Sequence, residues 1–471
     1  MDTKTTVISP EQLQKQHDFC DKIAALWHAQ GRTPKAYVET YGCQQNEADS
    51  ERIRGMLIAC GYEIGNEAEG ADVVVMNTCA IREHAEQRVF GNLGALTHTK
   101  HRHPEQKIFL CGCMAGQEVV TTRIKNSYPH VDGVFSTHHL WQFAEILYKV
   151  LTGTKRQFYI ADEAGSIAEG LPIARDNTLK SWVSIMYGCN NFCTYCIVPY
   201  VRGRERSRKP EDILAECRAL IADGCKEITL LGQNVNSYGK DLDCGVDFAD
   251  LLGEIAKIEG DFLIRFMTSH PRDASRKLFD TMAASPKIAK QLHLPFQSGS
   301  SRVLKAMNRH YDREKNQETV NYAKSVKPEL VLTSDVIVGF PGETEEEFEE
   351  TISLIEAVRY DSLFTFIFSP RPGTPAASMD DPPPKEEKNR RFDRLCAGQN
   401  RISEEIHAGY VGRVFRCLVD GRDKDQLTAR TEGGRLVRFA GSDDLIGGYH
   451  NIEITGSTTW SLTGVLAETD A

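Results

Sequence analysis

The sequence predicts an α/β protein with three successive folded regions: a doubly wound parallel α/β domain, a partial barrel of six β/α units, and a small antiparallel β-barrel. Three observations support this prediction. Short apolar runs alternate with longer amphipathic stretches in two separate series. From about residue 407 the pattern changes to short β-type runs between glycine-rich turns. The length of 471 residues also exceeds what one compact core accommodates.

The N-terminal part combines a helical extension with the first alternating series. Residues 1–33 carry apolar side chains near one helical face, which predicts an amphipathic helix. The domain 34–151 contains four strand-then-helix units. Its predicted strands are 35–40, 72–77, 107–110 and 131–135, and its predicted helices are 49–60, 82–96, 117–125 and 141–151. This alternation indicates a parallel sheet with helices on both faces.

The second alternating series follows a polar linker predicted at 152–174. The domain 175–405 has six predicted strands, at 182–186, 227–231, 263–267, 291–294, 333–338 and 363–368. Thr344 followed three residues later by Glu347 predicts a capped helix after the fifth strand. The domain 407–471 has predicted strands at 414–419, 434–439, 449–455 and 463–466.

Composition excludes several classes of protein and draws attention to cysteine. With 41% hydrophobic and 26% charged residues and a net charge of −10, the chain resembles neither a collagen, a disordered chain nor a disulfide scaffold. No apolar run approaches the ~18 residues of a membrane span, and the N-terminus has no signal-like apolar segment. We therefore expect a cytoplasmic protein without membrane attachment. In that compartment its fourteen cysteines are better explained by metal binding or catalysis than by disulfides.

Three cysteines lie within eight residues directly after the first strand of the predicted barrel: Cys189, Cys193 and Cys196. Three thiolates can hold a four-iron cluster and leave one iron without a protein ligand. Such an open iron can bind a substrate or cofactor. Zinc remains an alternative, although a closed zinc site needs a fourth ligand that no nearby Cys or His supplies.

A second set of three cysteines is dispersed along the N-terminal domain. Cys43, Cys79 and Cys113 follow its first three predicted strands. The carboxyl ends of parallel strands share one edge of the sheet, so these thiols can meet in space. Cys111 lies two residues earlier on the same strand and could face the same side, but we favour Cys113 because it lies nearer the loop after the strand.

The motifs around these cysteines resemble those of a known family. The pattern Cys189-x-x-x-Cys193-x-x-Cys196, with Tyr195 before the last cysteine, is the signature of radical S-adenosylmethionine (SAM) enzymes. Four further motifs begin at Tyr41 (Tyr-Gly-Cys-Gln-Gln-Asn), Asn77 (Asn-Thr-Cys-Ala-Ile-Arg-Glu), Leu231 (Leu-Gly-Gln-Asn-Val-Asn-Ser-Tyr) and His293 (His-Leu-Pro-Phe-Gln-Ser-Gly-Ser). Together they resemble the radical SAM methylthiotransferases, and within them the MiaB type that acts on tRNA. The resemblance runs from about residue 34 to the C-terminus.

This resemblance implies a specific reaction with two 4Fe–4S clusters and two molecules of SAM per turnover. The cluster on Cys189, Cys193 and Cys196 would bind SAM and yield a 5′-deoxyadenosyl radical. The radical would remove hydrogen from C2 of N6-isopentenyladenosine beside the anticodon of a tRNA. The auxiliary cluster on the dispersed set would supply the sulfur, methylated by the second SAM. Functionalising this C–H bond requires cofactor chemistry.

The resemblance also implies supporting residues and partners. Residues expected to contact SAM or lie beside it are Tyr195, Gly232, Gln233, Gln297, Ser298, Gly339 and Glu343. A basic run after the cysteine loop is expected to contact tRNA phosphates through Arg202, Arg204, Arg206 and Arg208. The C-terminal barrel resembles a TRAM domain, an RNA-binding module. We further expect a low-potential electron donor and a monomeric chain, and we assign no catalytic residue beyond the cluster ligands.

Two other functional interpretations remain open from the sequence. One is a methylthiotransferase that modifies threonylcarbamoyl adenosine in tRNA or an aspartate of a ribosomal protein. The other is an iron–sulfur protein that binds RNA or transfers electrons without turning over SAM.

Overall fold

The computed structural model describes residues 6–80, 83–160, 165–380 and 382–467. The chain divides into two compact units. The first comprises Met1–Asn177, Ser184–Asn190 and Cys196–Asp212, and the second comprises Thr178–Val183, Asn191–Tyr195 and Ile213–Ala471. Each unit is described by itself below.

The first unit is built on a parallel sheet of six strands, β3-β2-β4-β5-β6-β7. A separate parallel pair joins β1 to β8. The strands are β1 (Thr6–Val7), β2 (Lys35–Tyr41), β3 (Glu63–Ile64), β4 (Val73–Thr78), β5 (Lys107–Gly112), β6 (Gly133–Phe135), β7 (Gln157–Tyr159) and β8 (Ser166–Ile167).

Helices cover both faces of this sheet, which confirms the doubly wound prediction. The helices are α1 (Pro10–Ala29), α2 (Gln44–Ala59), α3 (Glu83–Arg102), α4 (Glu118–Ser127) and α5 (Phe143–Thr152). One buried core contains side chains of α1, α2 and α5, including Ile23, Ile53 and Leu147. The other contains side chains of α3 and α4, including Leu93 and Ile124. The predicted start of α3 at residue 82 lies outside the described residues.

The strand order creates a crevice between β2 and β4. The chain leaves β2 through α2 to reach β3 on one side, whereas β4 continues through α3 to β5 on the other side. Helices α2 and α3 belong to different cores, so they lie on opposite faces of the sheet. In open α/β sheets, such a switch point at the carboxyl ends of the strands is where ligands bind.

Strand β9 (Lys180–Ser184) is the first strand of the barrel, and it is followed along the chain by β10 (Met186–Tyr187), α6 (Val198–Arg202), β11 (Arg206–Ser207) and α7 (Pro210–Ala222). Strands β10 and β11 pair antiparallel in the first unit and bracket the cysteine loop. The predicted linker 152–174 contains the short strands β7 and β8.

The second unit contains the partial barrel. Its strands after β9 are β12 (Glu227–Leu231), β13 (Leu263–Phe266), β14 (Gln291–His293), β15 (Val331–Val338) and β16 (Ser362–Ile367). They form two sheets, β13-β12-β9 and β14-β15-β16, which a parallel bridge between Ile264 and Ile288 connects. The predicted six strands of an open barrel are thereby confirmed.

Helices follow the barrel strands in the order typical of β/α units. They are α8 (Phe248–Ala256), α9 (Arg276–Ala284), α10 (Ser301–Ala306), α11 (Arg313–Val326), α12 (Glu345–Val358) and α13 (Lys385–Ala408). Helix α12 begins with the predicted capping box: the Thr344 hydroxyl accepts from the Glu347 N–H, and the Glu347 carboxylate accepts from the Thr344 N–H.

The C-terminal region is a closed barrel in the order β17-β18-β19-β21-β20. Its strands are β17 (Val414–Asp423), β18 (Gln426–Thr431), β19 (Leu436–Phe439), β20 (Tyr449–Ser457) and β21 (Leu462–Leu466). The small barrel was predicted, but β18 was missed. A fully antiparallel arrangement was also wrong, because β19 and β21 pair in parallel. Among the helices that the structure describes, none is long and apolar enough to cross a membrane.

Candidate cluster and cofactor sites

The dispersed cysteines follow three adjacent strands at the switch-point crevice. Tyr41 of β2 pairs with Thr78 of β4, and Thr78 pairs with Gly112 of β5. Cys79 and Cys113 therefore come one residue after paired positions. Cys43, two residues past Tyr41, is the N-cap of α2.

Close backbone approach brings these loops together and requires glycine at two positions. A Cβ added to Gly42 would lie 2.9 Å from the Cys79 Cβ. Gly112, just before Cys113, has φ +93°. A Cβ added there would overlap the Thr78 carbonyl oxygen and the Asn77 side-chain oxygen. Both glycines therefore allow the cysteine loops to approach more closely than any larger residue would permit.

Two buried asparagines connect the same loops by hydrogen bonds. The Asn46 amide donates to Asn77 Oδ1 at 3.2 Å and to the Thr78 carbonyl at 3.3 Å. The Asn77 amide donates in return to the Asn46 carbonyl at 2.8 Å and to Ser50 Oγ at 2.9 Å. The Cys43 thiol donates to Asn46 Oδ1 at 3.3 Å. This network fixes the start of α2 against the end of β4.

A buried arginine supplies positive charge beside these thiols. The Arg202 Nε–H donates to Cys113 Sγ at 3.0 Å, and its Nη2 binds Asp49 Oδ2 at 2.8 Å. The hydrogen bond with Cys79 lowers the pKa of the Cys43 thiol to about 6, and the charge of Arg202 adds to this effect. A low thiol pKa favours the thiolate, which is the form that binds metals.

The structure distinguishes the two cysteines of β5. Cys111 is buried in the apolar core that contains Phe109 and Phe135. Cys113 instead lies with Ala80 and Ile197 in a small cluster beside the crevice. Burial raises the pKa of both thiols, that of Cys111 well above its ordinary value, whereas the charge of Arg202 partly offsets the effect of burial at Cys113. Cys113 is therefore the better candidate ligand.

The residues present fit an iron–sulfur cluster in their donor chemistry. Thiolates are the usual ligands of such clusters, and three of them leave one iron open. Cys79 and Cys113 are only 4% and 2% exposed, whereas Cys43 is exposed, so the protein shields two of the three thiols from water. Among the residues described, no group of three or more His, Cys, Asp or Glu side chains is arranged around a single metal ion. A four-iron cluster spaces its ligands around a larger body than one ion.

The other cysteine set lies on the loop between β10 and α6. Within the first unit, the Cys189 N–H donates to the Gly203 carbonyl at 3.1 Å. The Asn190 N–H donates to Glu205 Oε1 at 3.2 Å. Gly188, before the first cysteine, has φ +75°, and a Cβ there would overlap the Arg204 carbonyl. These contacts hold the beginning of the loop.

Cys193 belongs to the second unit, where the loop is held by the segment after α10. Arg309 is buried and donates from Nη1 to Cys193 Sγ and to the Tyr195 hydroxyl, both at 3.4 Å. Its Nη2 donates to the Pro295 carbonyl at 2.7 Å. The Asn308 amide donates to two loop carbonyls, those of Asn191 and Phe192. Phe192 has φ +46°, so the turn is tight at this point.

Unpartnered polar atoms gather at the carboxyl ends of β12 and β13. In the part of the chain that is described, buried side-chain atoms without a hydrogen-bond partner include Gln233 Oε1, Asn234 Oδ1, both amide atoms of Asn236, and Ser269 Oγ. Gly232 and Gln233 directly follow β12. Unsatisfied buried polar atoms are costly, so these groups fit a site that binds a polar ligand such as SAM.

Four other predicted SAM contacts have defined partners within the protein. The Ser298 hydroxyl is buried, 3.5 Å from Thr351 Oγ1. The backbone of Gln297, with φ +68°, bonds to strand β15. The Gly339 N–H donates to the Glu343 carboxylate at 2.8 Å, and Arg391 donates to the same carboxylate at 3.2 Å. Burial raises the pKa of Glu343 to about 7.

The predicted RNA-binding arginines differ in exposure. Arg202, Arg206 and Arg208 are buried, whereas Arg204 is exposed. Arg206 donates to the carbonyls of Arg202 and Arg204, at 3.1 and 2.8 Å. Arg208 forms a two-pronged ion pair with Glu169 at 2.6 and 2.7 Å. The guanidinium groups of the three buried members thus bind the protein itself.

Sequence reasoning missed several residues that organise these sites. Asp49 orients Arg202, the Asn46–Asn77 pair joins two cysteine loops, and Arg309 contacts Cys193. The two asparagines stand within the quoted motifs, but their mutual bonding depends on the strand register. Nothing in the local sequence links Arg309 to a cysteine more than a hundred residues earlier.

Comparison with protein families places three models along the chain. The Radical SAM superfamily model matches residues 183–355, the model called Uncharacterized protein family UPF0004 matches 35–136, and the TRAM domain model matches 409–467. The chain is therefore a radical SAM protein with a C-terminal TRAM domain, as the motifs predicted. Membership of this superfamily implies SAM and a 4Fe–4S cluster.

Full-length relatives define the family more narrowly. The chain is 47% identical over 470 residues to a protein of Acetivibrio thermocellus named tRNA-2-methylthio-N(6)-dimethylallyladenosine synthase, covering 98% of each chain. A protein of the same name from Clostridium botulinum is 50% identical over 431 residues, covering 91% of this chain and 96% of that one. The chain belongs to the tRNA-2-methylthio-N(6)-dimethylallyladenosine synthase family.

A solved structure shares the fold at low sequence identity. The radical SAM methyltransferase TsrM of Kitasatospora setae matches with a TM-score of 0.55 and 13% identity, covering 73% of this chain and 75% of that chain. This similarity supports the α/β architecture and carries no further functional argument.

Proposed function

We propose that this chain converts N6-isopentenyladenosine beside the anticodon of tRNA into its 2-methylthio derivative. The name of its relatives describes this product. The observation that carries the proposal is the convergence of three cysteine loops at the switch-point crevice. The Cys189 set accounts for SAM cleavage, and the second thiol set offers a source for the sulfur that the 2-methylthio product requires.

Two 4Fe–4S clusters fit the two cysteine sets. Cys189, Cys193 and Cys196 hold the first, and Cys43, Cys79 and Cys113 hold the auxiliary one. When bound, these groups supply reductive cleavage of SAM at one site and sulfur for the product at the other. The protein's own part is to present thiolates, to exclude water from Cys79 and Cys113, and to place positive charge at Cys113 and Cys193.

The polar groups after β12 and β13 are the best supported contacts for SAM. Gln233, Asn234 and Ser269 have buried atoms able to bond to an amino-acid or ribose group. Gln297 and Tyr195 remain candidate contacts. Ser298, Gly339 and Glu343 are better explained as residues that hold the turns around the site.

Binding of tRNA is assigned to the TRAM barrel and to the exposed Arg204. Arginine suits phosphate oxygens, and a guanidinium that reaches solvent can contact them. A low-potential electron donor and a monomeric enzyme complete the proposal. The two proposed uses of SAM account for radical formation and for methylation of sulfur.

The direct test is mass spectrometry of tRNA nucleosides from cells that lack this chain and from complemented cells. We expect the 2-methylthio mark on isopentenyladenosine only when the intact chain is present. Cys79→Ala should abolish the mark, whereas Cys111→Ala, a core cysteine near the same site, should retain it. A mark on threonylcarbamoyl adenosine or on a ribosomal protein aspartate instead would contradict the proposed substrate.

A second test separates the roles of the two cysteine sets. In reduced anaerobic protein, Cys193→Ala should abolish formation of 5′-deoxyadenosine from SAM. Cys79→Ala should preserve SAM cleavage and stop sulfur insertion, because its cysteine belongs to the auxiliary set. Equal loss of both activities in folded Cys79→Ala protein would refute this division, and absence of SAM cleavage in the unaltered chain would favour a non-enzymatic iron–sulfur protein.

A further inference from the structure

Arg202 is buried in the first unit, with its guanidinium hydrogen-bonded to two side chains. It ends helix α6 and is 4% exposed. Its Nε–H points at Cys113 Sγ at 3.0 Å, and its Nη2 forms an ion pair with Asp49 at 2.8 Å. The side chains of this ion pair are 5% and 7% exposed. The guanidinium is therefore removed from solvent and bound to one carboxylate and one sulfur.

Asp49 offsets part of the cost of burying this guanidinium, and a negative charge on the sulfur would offset more of it. Removing a guanidinium from water costs several kcal/mol before its partners compensate. A neutral thiol is only a weak hydrogen-bond acceptor. Cysteine binds iron as the thiolate, and a charge-assisted bond to a thiolate is much stronger. The contact is therefore best satisfied when Cys113 is a cluster ligand.

Asp49 holds the guanidinium in this orientation and contributes an opposing charge. Its carboxylate also receives a hydrogen bond from Gln45 Nε2 at 3.4 Å and lies 3.6 Å from the guanidinium of Arg52. The charge of Arg202 acts on Cys113, Asp49 and Cys43. Arg202 and Asp49 therefore influence the same site with opposite signs.

We propose that Arg202, oriented by Asp49, is a positioning residue that sets the reduction potential of the auxiliary cluster through its hydrogen bond to Cys113. Hydrogen bonds to the ligand sulfurs and local net charge are two determinants of cluster potentials. One added electron makes the cluster more negative by one charge, which the buried guanidinium stabilises and the carboxylate opposes. This inference rests on the proposed function, since it requires a cluster at Cys43, Cys79 and Cys113.

The test measures the midpoint potential of the auxiliary cluster alone. Full-length protein with Cys189, Cys193 and Cys196 changed to Ala is reconstituted with iron and sulfide, then titrated with dithionite while the reduced cluster is followed by EPR. In that background Arg202→Gln should lower the midpoint potential, and Asp49→Asn should raise it. Arg202→Lys keeps the charge but loses the planar guanidinium. Its midpoint potential should lie between that of Arg202→Gln and that of the unaltered protein.

A matched control separates this effect from a loss of stability. Arg208 is another buried arginine of the first unit, paired with Glu169. Arg208→Gln should destabilise the protein and leave the midpoint unchanged.

A midpoint unaffected by both Arg202→Gln and Asp49→Asn, or moved in the same direction by both, would overturn the inference. If the Arg202→Gln protein does not take up a cluster, the direction of the midpoint-potential shift in Asp49→Asn tests the inference alone. A rise supports it, and a fall or no change contradicts it. Absence of iron from the unaltered auxiliary site would instead refute the two-cluster proposal, and with it this inference.

Discussion

At the scale of single residues, two buried arginines each contact one thiol of a different cysteine set. Arg202 donates to Cys113 and Arg309 donates to Cys193. The sequence showed the cysteines, because their spacing and their position after predicted strands follow local rules. The basic run predicted that Arg202 contacts tRNA phosphates, because such a run is typical of a solvated or phosphate-binding surface. Its side chain is instead buried. Burial depends on neighbours distant in sequence.

Glycine at position 112 is a second residue whose role only the structure reveals. Gly112→Ala should disturb the auxiliary site, because the new Cβ would overlap the Thr78 carbonyl and because φ is +93°. Strain of this kind costs of order 1–3 kcal/mol before the overlap is counted. We expect a lower unfolding temperature and less bound iron.

The control is Gly70→Ala in the same unit, at φ +74° with no atom within 4 Å of the added Cβ. It carries the conformational strain without the overlap. It should lower the unfolding temperature less and retain iron. Equal effects of the two substitutions on stability and iron content would show that overlap at Gly112 is not important.

At the scale of elements, strands with a clear apolar run were predictable, including the three-residue β6 and β14. The strands β2, β4, β5, β12 and β15 and the capping box of α12 follow from apolar patterning and side-chain chemistry. The three-residue β7 and the hairpin partner β18 were missed. The parallel pairing of β19 with β21 depends on how the barrel closes, and no local pattern encodes it.

The turn from β15 into α12 predicts a pH dependence of stability. Glu343 binds the Gly339 N–H and Arg391, and burial raises its pKa to about 7 from an ordinary value of 4.5. The folded protein therefore holds this proton more tightly than the unfolded chain. Its contribution to stability is complete below pH 4.5 and is lost as the pH rises through about 7.

Glu343→Gln removes the titration and keeps an acceptor oxygen. The difference in unfolding temperature, unaltered protein minus Glu343→Gln, should decrease as the pH is raised from 5 to 8. Calorimetry of both proteins in matched buffers measures this difference. A difference that stays constant or increases with pH would contradict the raised pKa.

At the scale of the whole molecule, the division into units departs from a simple succession of domains. The segments Ser184–Asn190 and Cys196–Asp212 group with the N-terminal sheet, whereas Asn191–Tyr195 groups with the barrel. The apolar periodicity predicted both alternating series. It could not predict to which unit each part of the cysteine loop belongs. The family motifs predicted all six cysteine ligands, with Cys113 preferred to Cys111, and the folded chain adds the contacts that distinguish these two cysteines.

Two three-thiolate sites in one chain are the central claim, and iron and sulfide analysis tests it most directly. Anaerobically reconstituted protein should contain on the order of eight iron and eight sulfide per chain if, as proposed, each site holds a four-iron cluster. Changing Cys43, Cys79 and Cys113 to Ala should leave about four of each, as should changing Cys189, Cys193 and Cys196. About four of each in the unaltered chain, with no loss on removing the dispersed cysteines, would contradict the account.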